Sequence, residues 1–376
     1  MLTLYIHIPF CVRKCNYCGF YSTEYTSQGA EHYLSALRIE AAGYQYVFSQ
    51  RVFDSVYIGG GTPTVLSAGQ LENLIAIARE HFQISDNAEW TIEANPNTVS
   101  NRQLALLEAE GINRLSLGLQ SFSDDLLKFL GRLHTAQEAA DAFMLARNAG
   151  FRNIGVDLIY GVPGQTATKW IETLDRVLAL KPEHVSAYSL SLDEGSRFME
   201  ASAFGRFVLP DDDSVAAQYE HALTKLSDAG YERYEISNFC LPGFSCRHNM
   251  NYWDRGEYLG LGPSAWSFIE GRRYRTISDV REYAMRLTEG MTVTDYEEIV
   301  VPRQAANETV MLGLRMSQGV DLVRYEQTYG ADALRQLQYN AAPLKLADLL
   351  TEMGGRFRLA GGGTFIINEV LARLSI

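Results

Sequence analysis

Cysteine is scarce in this chain, basic residues are outnumbered, and no apolar run is long enough to cross a bilayer. Five cysteines occur among 376 residues. An odd number crowded toward one end is a poor basis for a disulfide framework. Lysine and arginine total 33 against 45 aspartates and glutamates, a formal net charge of −12. That balance argues against a nucleic-acid binder, which needs a basic face. The apolar opening MLTLYIHIPF is too short for a membrane span and lacks the basic leader of a signal peptide. Low-complexity tracts, heptads and short-period repeats are missing too. The expectation is a soluble, cytoplasmic protein, with peripheral membrane contact left open.

What is present is core-forming material. Apolar residues make up 47% of the chain, and its length suits a large barrel with an appendage. Strand-like runs open at Leu2, Ser55, Glu89, Arg114, Asn153 and His184. Helical periodicity fills the intervals, with Ser67, Ser100 and Thr135 as N-caps and Gly111 and Gly150 where helices stop. Roughly six βα units result, and parallel strands require crossovers, so the helices lie outside a parallel sheet. That is short of a complete eight-unit barrel. A partial barrel and an open doubly wound sheet both satisfy the pattern.

Farther along, a turn, an amphipathic helix and a strand are expected over LPDDDSVAAQYEHALTKLSDAGYERYEISNF. The next run, CLPGFSCRHNMNYWDRGEYLGLGPSAWSF, is rich in glycine and aromatics and reads as a loop that covers something. From about Val301 the chain is helical again. It closes on GGRFRLAGGGTFIINEVLARLSI, which suggests a hairpin and a last helix, as in a small winged-helix domain.

The scarce cysteines are concentrated: CVRKCNYC holds Cys11, Cys15 and Cys18. Structural zinc takes four protein ligands, and an all-cysteine iron–sulfur cluster takes four thiolates. Three thiolates on a [4Fe–4S] cubane leave one iron open, as a cluster that binds and reduces a substrate requires. A rival reading recruits His7 to a zinc site, although His7 shares a strand face with Tyr5 and can instead point into a barrel mouth. Buried structural cysteines are the remaining alternative.

A second motif, YIGGGTPT, sets Gly59, Gly60, Gly61 and Thr62 directly after a strand. Glycines without Cβ let a ligand approach the backbone. A tight turn opened by Pro63 accounts for one glycine more readily than for three. Glu93, Gln120, Asp157 and Ser191 fall toward the C-terminal ends of separate strands, and in a parallel barrel those ends converge on one mouth.

These motifs resemble the radical S-adenosylmethionine (SAM) superfamily, whose members bind a [4Fe–4S] cluster through C-x3-C-x2-C and hold SAM on the fourth iron. The resemblance implies an α/β fold built on a partial (β/α)6 barrel. The expected division is a barrel over residues 1–205, a barrel extension with the aromatic, glycine-rich cover over 206–298, and a smaller α+β, winged-helix-like domain over 299–376. LYIHIPFC, GGGTPT, IEANP, RLSLGLQSF, LGRLHT and VDLIYGVPGQT are together similar to the oxygen-independent coproporphyrinogen III oxidase family. Carried over by motif, that similarity implies SAM contacts at Tyr5, Tyr17, Gly60, Gly61, Thr62, Glu93, Gln120, Arg132, Asp157 and Ser191. Arg132 would offset the SAM carboxylate.

Two features select a branch of that family. The oxidases carry a further cysteine one residue after the third, where this chain has Phe20, and a long extension before the cluster that is missing here. Conversion of coproporphyrinogen III to protoporphyrinogen IX is therefore the second reading. CRHNMNYW, from Cys246 to Trp253, resembles the HNxxYW stretch of the heme-chaperone branch, and YEISNF from Tyr234 matches that branch too. A neutral imidazole can ligate heme iron, and aromatic rings stack on porphyrin. His248, Asn249, Tyr252 and Trp253 are thus candidate heme contacts, with Cys246 a competing axial ligand. The alternative is that Tyr252 and Trp253 only pack the segment onto the barrel. Cys240 reads as a small buried apolar residue. The branch resemblance implies a chaperone that carries heme to apoproteins of respiration and draws on an unidentified electron donor.

Overall fold

The computed structural model describes residues 1–376. Six strands, β1 (Leu2–Ile8), β2 (Val52–Gly60), β3 (Gln83–Ala94), β4 (Arg114–Gln120), β5 (Ile154–Tyr160) and β6 (His184–Ser189), occupy the six strand-like runs. Each pairs in parallel with the next. Every residue of β4 is buried, and β1 and β5 each expose one position in part. Strands covered on both faces need such near-continuous apolar runs.

The intervening helices start and stop where the sequence marks them. Ser67 and Thr135 close capping boxes with Gln70 and Glu138, and Ser100 accepts from the Gln103 amide. Gly111 and Gly150 take φ of 72° and 108° just past their helices. There the Ile112 and Phe151 amides fold back onto the carbonyls of Leu107 and Ala146.

Six further strands complete one sheet: β7 (Glu232–Arg233), β8 (Asn238–Cys240), β9 (Glu257–Leu261), β10 (Trp266–Ile269), β11 (Arg272–Thr276) and β12 (Thr294–Ile299). The order is β12-β11-β10-β9-β1-β2-β3-β4-β5-β6-β8-β7. Of the six, β9 alone is parallel to its barrel neighbour, β1; the others extend the two flanks antiparallel. Residues from β2 to β6 line one cavity. Five strands of a flat sheet would spread over about 19 Å at their usual spacing, so this sheet is curled. Its end strands do not pair with each other. The result is a partial barrel.

The expected cover loop is a correction. CRHNMNYW forms a short helix, Arg247–Trp253, and EYLGL is strand β9. Both are built into the barrel rather than laid over it.

The C-terminal region has its own core of 13 buried residues, separate from the 57 of the barrel. It runs helix Pro302–Gly313, strand β13 (Val320–Asp321), helices Leu322–Tyr329 and Ala331–Leu346, then hairpin β14 (Leu350–Met353) and β15 (Arg356–Leu359). Helix–strand–helix–helix–hairpin is the order of a winged helix, and the last helix, Ile367–Leu374, packs against it. No helix is long and apolar enough to cross a membrane.

Candidate functional site

The cysteine loop leaves β1 and is stitched to the far side of the barrel mouth. Arg13 Nη2 and Asn16 Nδ2 donate to the carbonyls of Gly131 and Phe129, each at 2.8 Å, and the Asn16 amide donates to Leu130 at 3.0 Å. These carbonyls end helix Asp124–Leu130, where intrahelical donors run out. Tyr17 packs against the buried cluster of Leu126, Leu130, Ile159 and Phe198. So anchored, Cys11, Cys15 and Cys18 line one cavity of about 410 Å³.

Cys11 Sγ lies 3.6 Å from Thr62 Oγ1, and Arg132 Nη1 lies 3.6 Å from Cys15 Sγ. Burial pushes the Cys11 thiol up and that of Cys18 to about 11. No three His, Cys, Asp or Glu side chains converge closely enough for a single ion. His7 is turned away, with Nδ1 3.0 Å from the Tyr5 hydroxyl and Nε2 3.0 Å from the Tyr21 carbonyl. The zinc reading therefore loses its fourth ligand. A cubane instead takes thiolates at separate corners, and three cavity-facing thiols with one side open fit it.

The glycine loop forms the adjoining wall. Gly60 has φ 107°, and a Cβ there would lie 2.5 Å from the His7 ring. A Cβ on Gly61 would lie 2.5 Å from the Phe10 carbonyl oxygen, against which the loop is pinned by Thr62 N at 2.7 Å. Close packing within the protein thus requires these glycines, so the turn reading explains more of the motif than the sequence suggested.

On the adjacent strand β3, Glu93 accepts from the Tyr57 hydroxyl at 2.8 Å and the Gly60 amide at 3.0 Å. Burial raises its carboxyl to about 7. Asp157, also raised by burial, accepts from Ser116 Oγ at 3.1 Å. Gln120 sits at φ 65°, where the β4–β5 register breaks; such a break re-aims a side chain at an active site. Arg132 Nη2 donates to Asn95 Oδ1 at 2.6 Å and the Gly118 carbonyl at 2.5 Å.

Nine of the ten expected SAM contacts line this cavity; Tyr5 does not. Its hydroxyl is taken by His7, and its ring leans on Tyr57. Two positions also differ from expectation. Asp157 is mid-strand, and Ser191 lies past the end of β6.

The barrel floor is built by helix Arg247–Trp253. Thr3, Ser55 and Glu89 stand at one register level on β1, β2 and β3, and each holds the helix. Asn251 Nδ2 donates to Thr3 Oγ1 at 3.1 Å, and His248 Nδ1 is 2.9 Å from Ser55 Oγ. Glu89 accepts from the amides of Arg247 and His248, each at 3.1 Å, and from Cys246 Sγ at 3.4 Å.

This geometry alters the expected heme contacts. His248 is 1% exposed, and its second nitrogen is 2.9 Å from the Tyr252 hydroxyl. Burial pushes its imidazole down to about 3 and the Cys246 thiol up to about 12. Neither side chain is open to a heme iron here, because each is spent on closing the floor. Trp253 lies under the Arg315 guanidinium, 4.9 Å from the ring centre. Of the five candidates, Asn249 alone faces the cavity. His248→Ala is expected to leave the Ser55 and Tyr252 hydroxyls without partners, at a cost of about 2 kcal/mol in urea unfolding. The Soret band of heme added to the variant should stay in place. A shifted band with unchanged stability would restore His248 as a ligand.

Asn95, Arg114, Ser116 and Ser186 also line the cavity and were missed. The one available signal was Arg114, a charge at the head of the otherwise apolar run RLSLGLQ.

Residues 5–177 match the Radical SAM superfamily, and residues 300–365 match the HemN C-terminal domain. The chain is similar to heme chaperone HemW of Lactococcus lactis subsp. lactis (strain IL1403), with 38% identity over 86% of this chain and 84% of that protein. The chain belongs to the HemW family. HemW of Bacillus subtilis (strain 168) is likewise 38% identical, over 88% of this chain and 87% of its own. The coproporphyrinogen III oxidase HemN of Escherichia coli has the same architecture, with a TM-score of 0.87 at 26% identity over 100% of this chain and 90% of its own. Membership of HemW within the radical SAM superfamily implies a [4Fe–4S] cluster and SAM, and the cysteine-lined cavity suits both.

Proposed function

We propose that this chain is a radical SAM heme chaperone, which binds heme and passes it to apoproteins of respiration in the cytoplasm. The likeness to HemW chains over nearly the whole length carries this reading. Cys11, Cys15 and Cys18 would hold the cluster, whose chemistry when bound is to supply one electron to the SAM sulfonium. Tyr17, Gly60, Gly61, Thr62, Gln120, Arg132 and Ser191 would shape the SAM seat, with Arg132 offsetting the SAM carboxylate. Glu93 and Asp157 would accept from SAM hydroxyls or its amine and balance the cationic sulfonium. Tyr5 would act from behind, by holding Tyr57 and His7 in place. An electron donor and transient contact with a membrane surface complete the proposal.

The test is heme transfer. Holo protein loaded with heme should hand it to an apo-cytochrome in a spectral assay, faster than free heme is taken up. Transfer at the free-heme rate would end the chaperone reading.

The likeness to HemN keeps a second reading in view. Phe20, 67% exposed at the cavity rim, stands where the oxidases carry their extra cysteine. Anaerobic incubation with coproporphyrinogen III, SAM and a reductant should yield no protoporphyrinogen IX; its formation would establish the oxidase.

Glu93 makes SAM binding pH-dependent. Its carboxyl is neutral below about 7 and charged above, and only the charged form balances the sulfonium. Affinity measured by calorimetry should therefore rise as pH increases through 7. Glu93→Gln should bind more weakly and lose the pH dependence. The same rise in the variant would place the titrating group elsewhere.

A further inference from the structure

We propose that the outer face of the cysteine loop, centred on Val12 and Leu133, is the docking surface of an acidic one-electron carrier protein that reduces the cluster. The inference rests on the radical SAM reading above and goes on to name the class of the electron donor and the place where it binds.

A cluster that gives one electron to the SAM sulfonium has to receive one first. The carrier is oxidised by that electron and the cluster is reduced by it; no proton or group moves with it. The barrel cavity is a poor route for a protein donor, because SAM would occupy it, over the open iron.

The fold offers a second way in. A narrow cleft of about 20 Å³ lies between the cysteine loop and the end of helix Asp124–Leu130, lined by Val12, Arg13, Cys15, Arg132 and Leu133 among others. Of the three clustered cysteines, Cys15 alone lines both this cleft and the barrel cavity. The cleft has room for about one water, so no reactant reaches the cluster through it. An electron needs no opening, only a thin wall. Val12 is 49% exposed and Leu133 is 45% exposed. A partner seated on these two side chains is separated from Cys15 by the width of one small cleft.

Charge points to the kind of partner. The chain as a whole is acidic, at −12, yet two arginines and no carboxylate line the cleft. Lys128 stands one turn before Leu133's neighbour Gly131, whose amide donates to the Lys128 carbonyl at 3.1 Å. Fifteen ion pairs form elsewhere, and none uses Arg13, Lys14 or Lys128. Asp124 and Asp125 begin the helix at its other end, where Asp124 accepts from the Ala136 amide at 2.7 Å. An exposed apolar centre with unpaired cations at its rim suits a transient contact with a carrier that bears carboxylates around its redox centre.

The experiment uses the holo protein with a bacterial flavodoxin and a two-cluster ferredoxin as acidic probes. Carbodiimide joins carrier carboxylates to lysine amines, and peptide mapping should place the links at Lys128 or Lys14. Bleaching of the cluster in anaerobic stopped flow gives the rate of reduction by each carrier relative to that by dithionite, which is small and needs no docking face. Leu133→Glu and Lys128→Glu should lower that ratio by on the order of tenfold or more, the effect of setting a like charge against an acidic partner. Phe20→Glu, at the rim of the barrel cavity, should leave it unchanged. A ratio is read because a shifted cluster potential or a loosened loop slows both donors alike. If dithionite reduces the cluster and the ratio is the same in wild type, Leu133→Glu and Lys128→Glu, or falls only in Phe20→Glu, the docking surface is wrong and the radical SAM reading stands. Links confined to other lysines, or carriers that fail where dithionite succeeds, overturn the surface in the same way. If the ratio falls as expected while heme passes to the apo-cytochrome at the free-heme rate, the surface stands and the chaperone reading fails. If no cluster assembles, both fall.

Discussion

Cys15→Ala is expected to abolish the [4Fe–4S] cluster outright. Three thiolates suffice for a cubane with one open iron, and two do not hold it against loss of iron and sulfide. The loop itself should survive the change, because its anchors are the Arg13 and Asn16 bonds to the end of helix Asp124–Leu130 rather than the sulfurs. Reconstituted anaerobically, the wild type should carry close to four irons and four sulfides by chemical analysis. Cys11→Ala and Cys18→Ala should match Cys15→Ala. Cys240→Ala should match the wild type, since that thiol is buried in β8, on a flank of the sheet and outside the cavity lining. Full cluster occupancy in Cys15→Ala would overturn the assignment.

The second large effect is on stability. Glu89→Ala should destabilise the fold by about 4 kcal/mol, since each buried donor left unmade costs about 1–3 kcal/mol. Glu89 alone satisfies the amides that open the floor helix, and it also takes the Cys246 thiol. Its loss further removes a negative charge that balances Arg114. Glu89→Gln keeps an acceptor and should recover about half of the loss. Urea midpoints of the apo proteins measure both. A Glu89→Ala midpoint equal to the wild type would mean that the helix does not depend on this cap.

The barrel was legible because its signals are local and redundant. Residues 114–120 read as a strand with the bounds that β4 has, since an apolar run follows the helix stop at Gly111. Ser67 and Thr135 mark helix starts through bonds made within four residues. Glu93, Gln120, Asp157 and Ser191 were legible from their places toward the ends of separate parallel strands, whereas Tyr17 and Arg132 lie outside the strands and could be named only through likeness to a family.

The floor was misread for a different reason. Arg247–Trp253 is a helix of seven residues in a run rich in glycine and aromatics, too short for periodicity to show. What makes it a helix is Glu89, which lies more than 150 positions earlier in the chain. Residues 257–261 became a seventh parallel strand because β1 offered an open edge, and no local feature records that. His248 could be named from the motif, and its spacing of four from Tyr252 puts the two on one face once the segment is a helix, but its partner Ser55 could not be foreseen.

The pairing of β1 with β9 has a consequence for synthesis on the ribosome. β1 precedes every other strand of the sheet, and its Leu4, Ile6 and Ile8 end fully buried. One of its edges is met by β2 after about fifty residues, but the other waits for residues 257–261. During that interval a nascent chain carries an unpaired apolar edge, the kind of surface that templates aggregation. The cysteine loop hangs directly from this strand. Its final setting is therefore fixed late, once residues 257–261 have been made, and a metallocluster delivered before then would meet cysteines whose barrel is still open on one side.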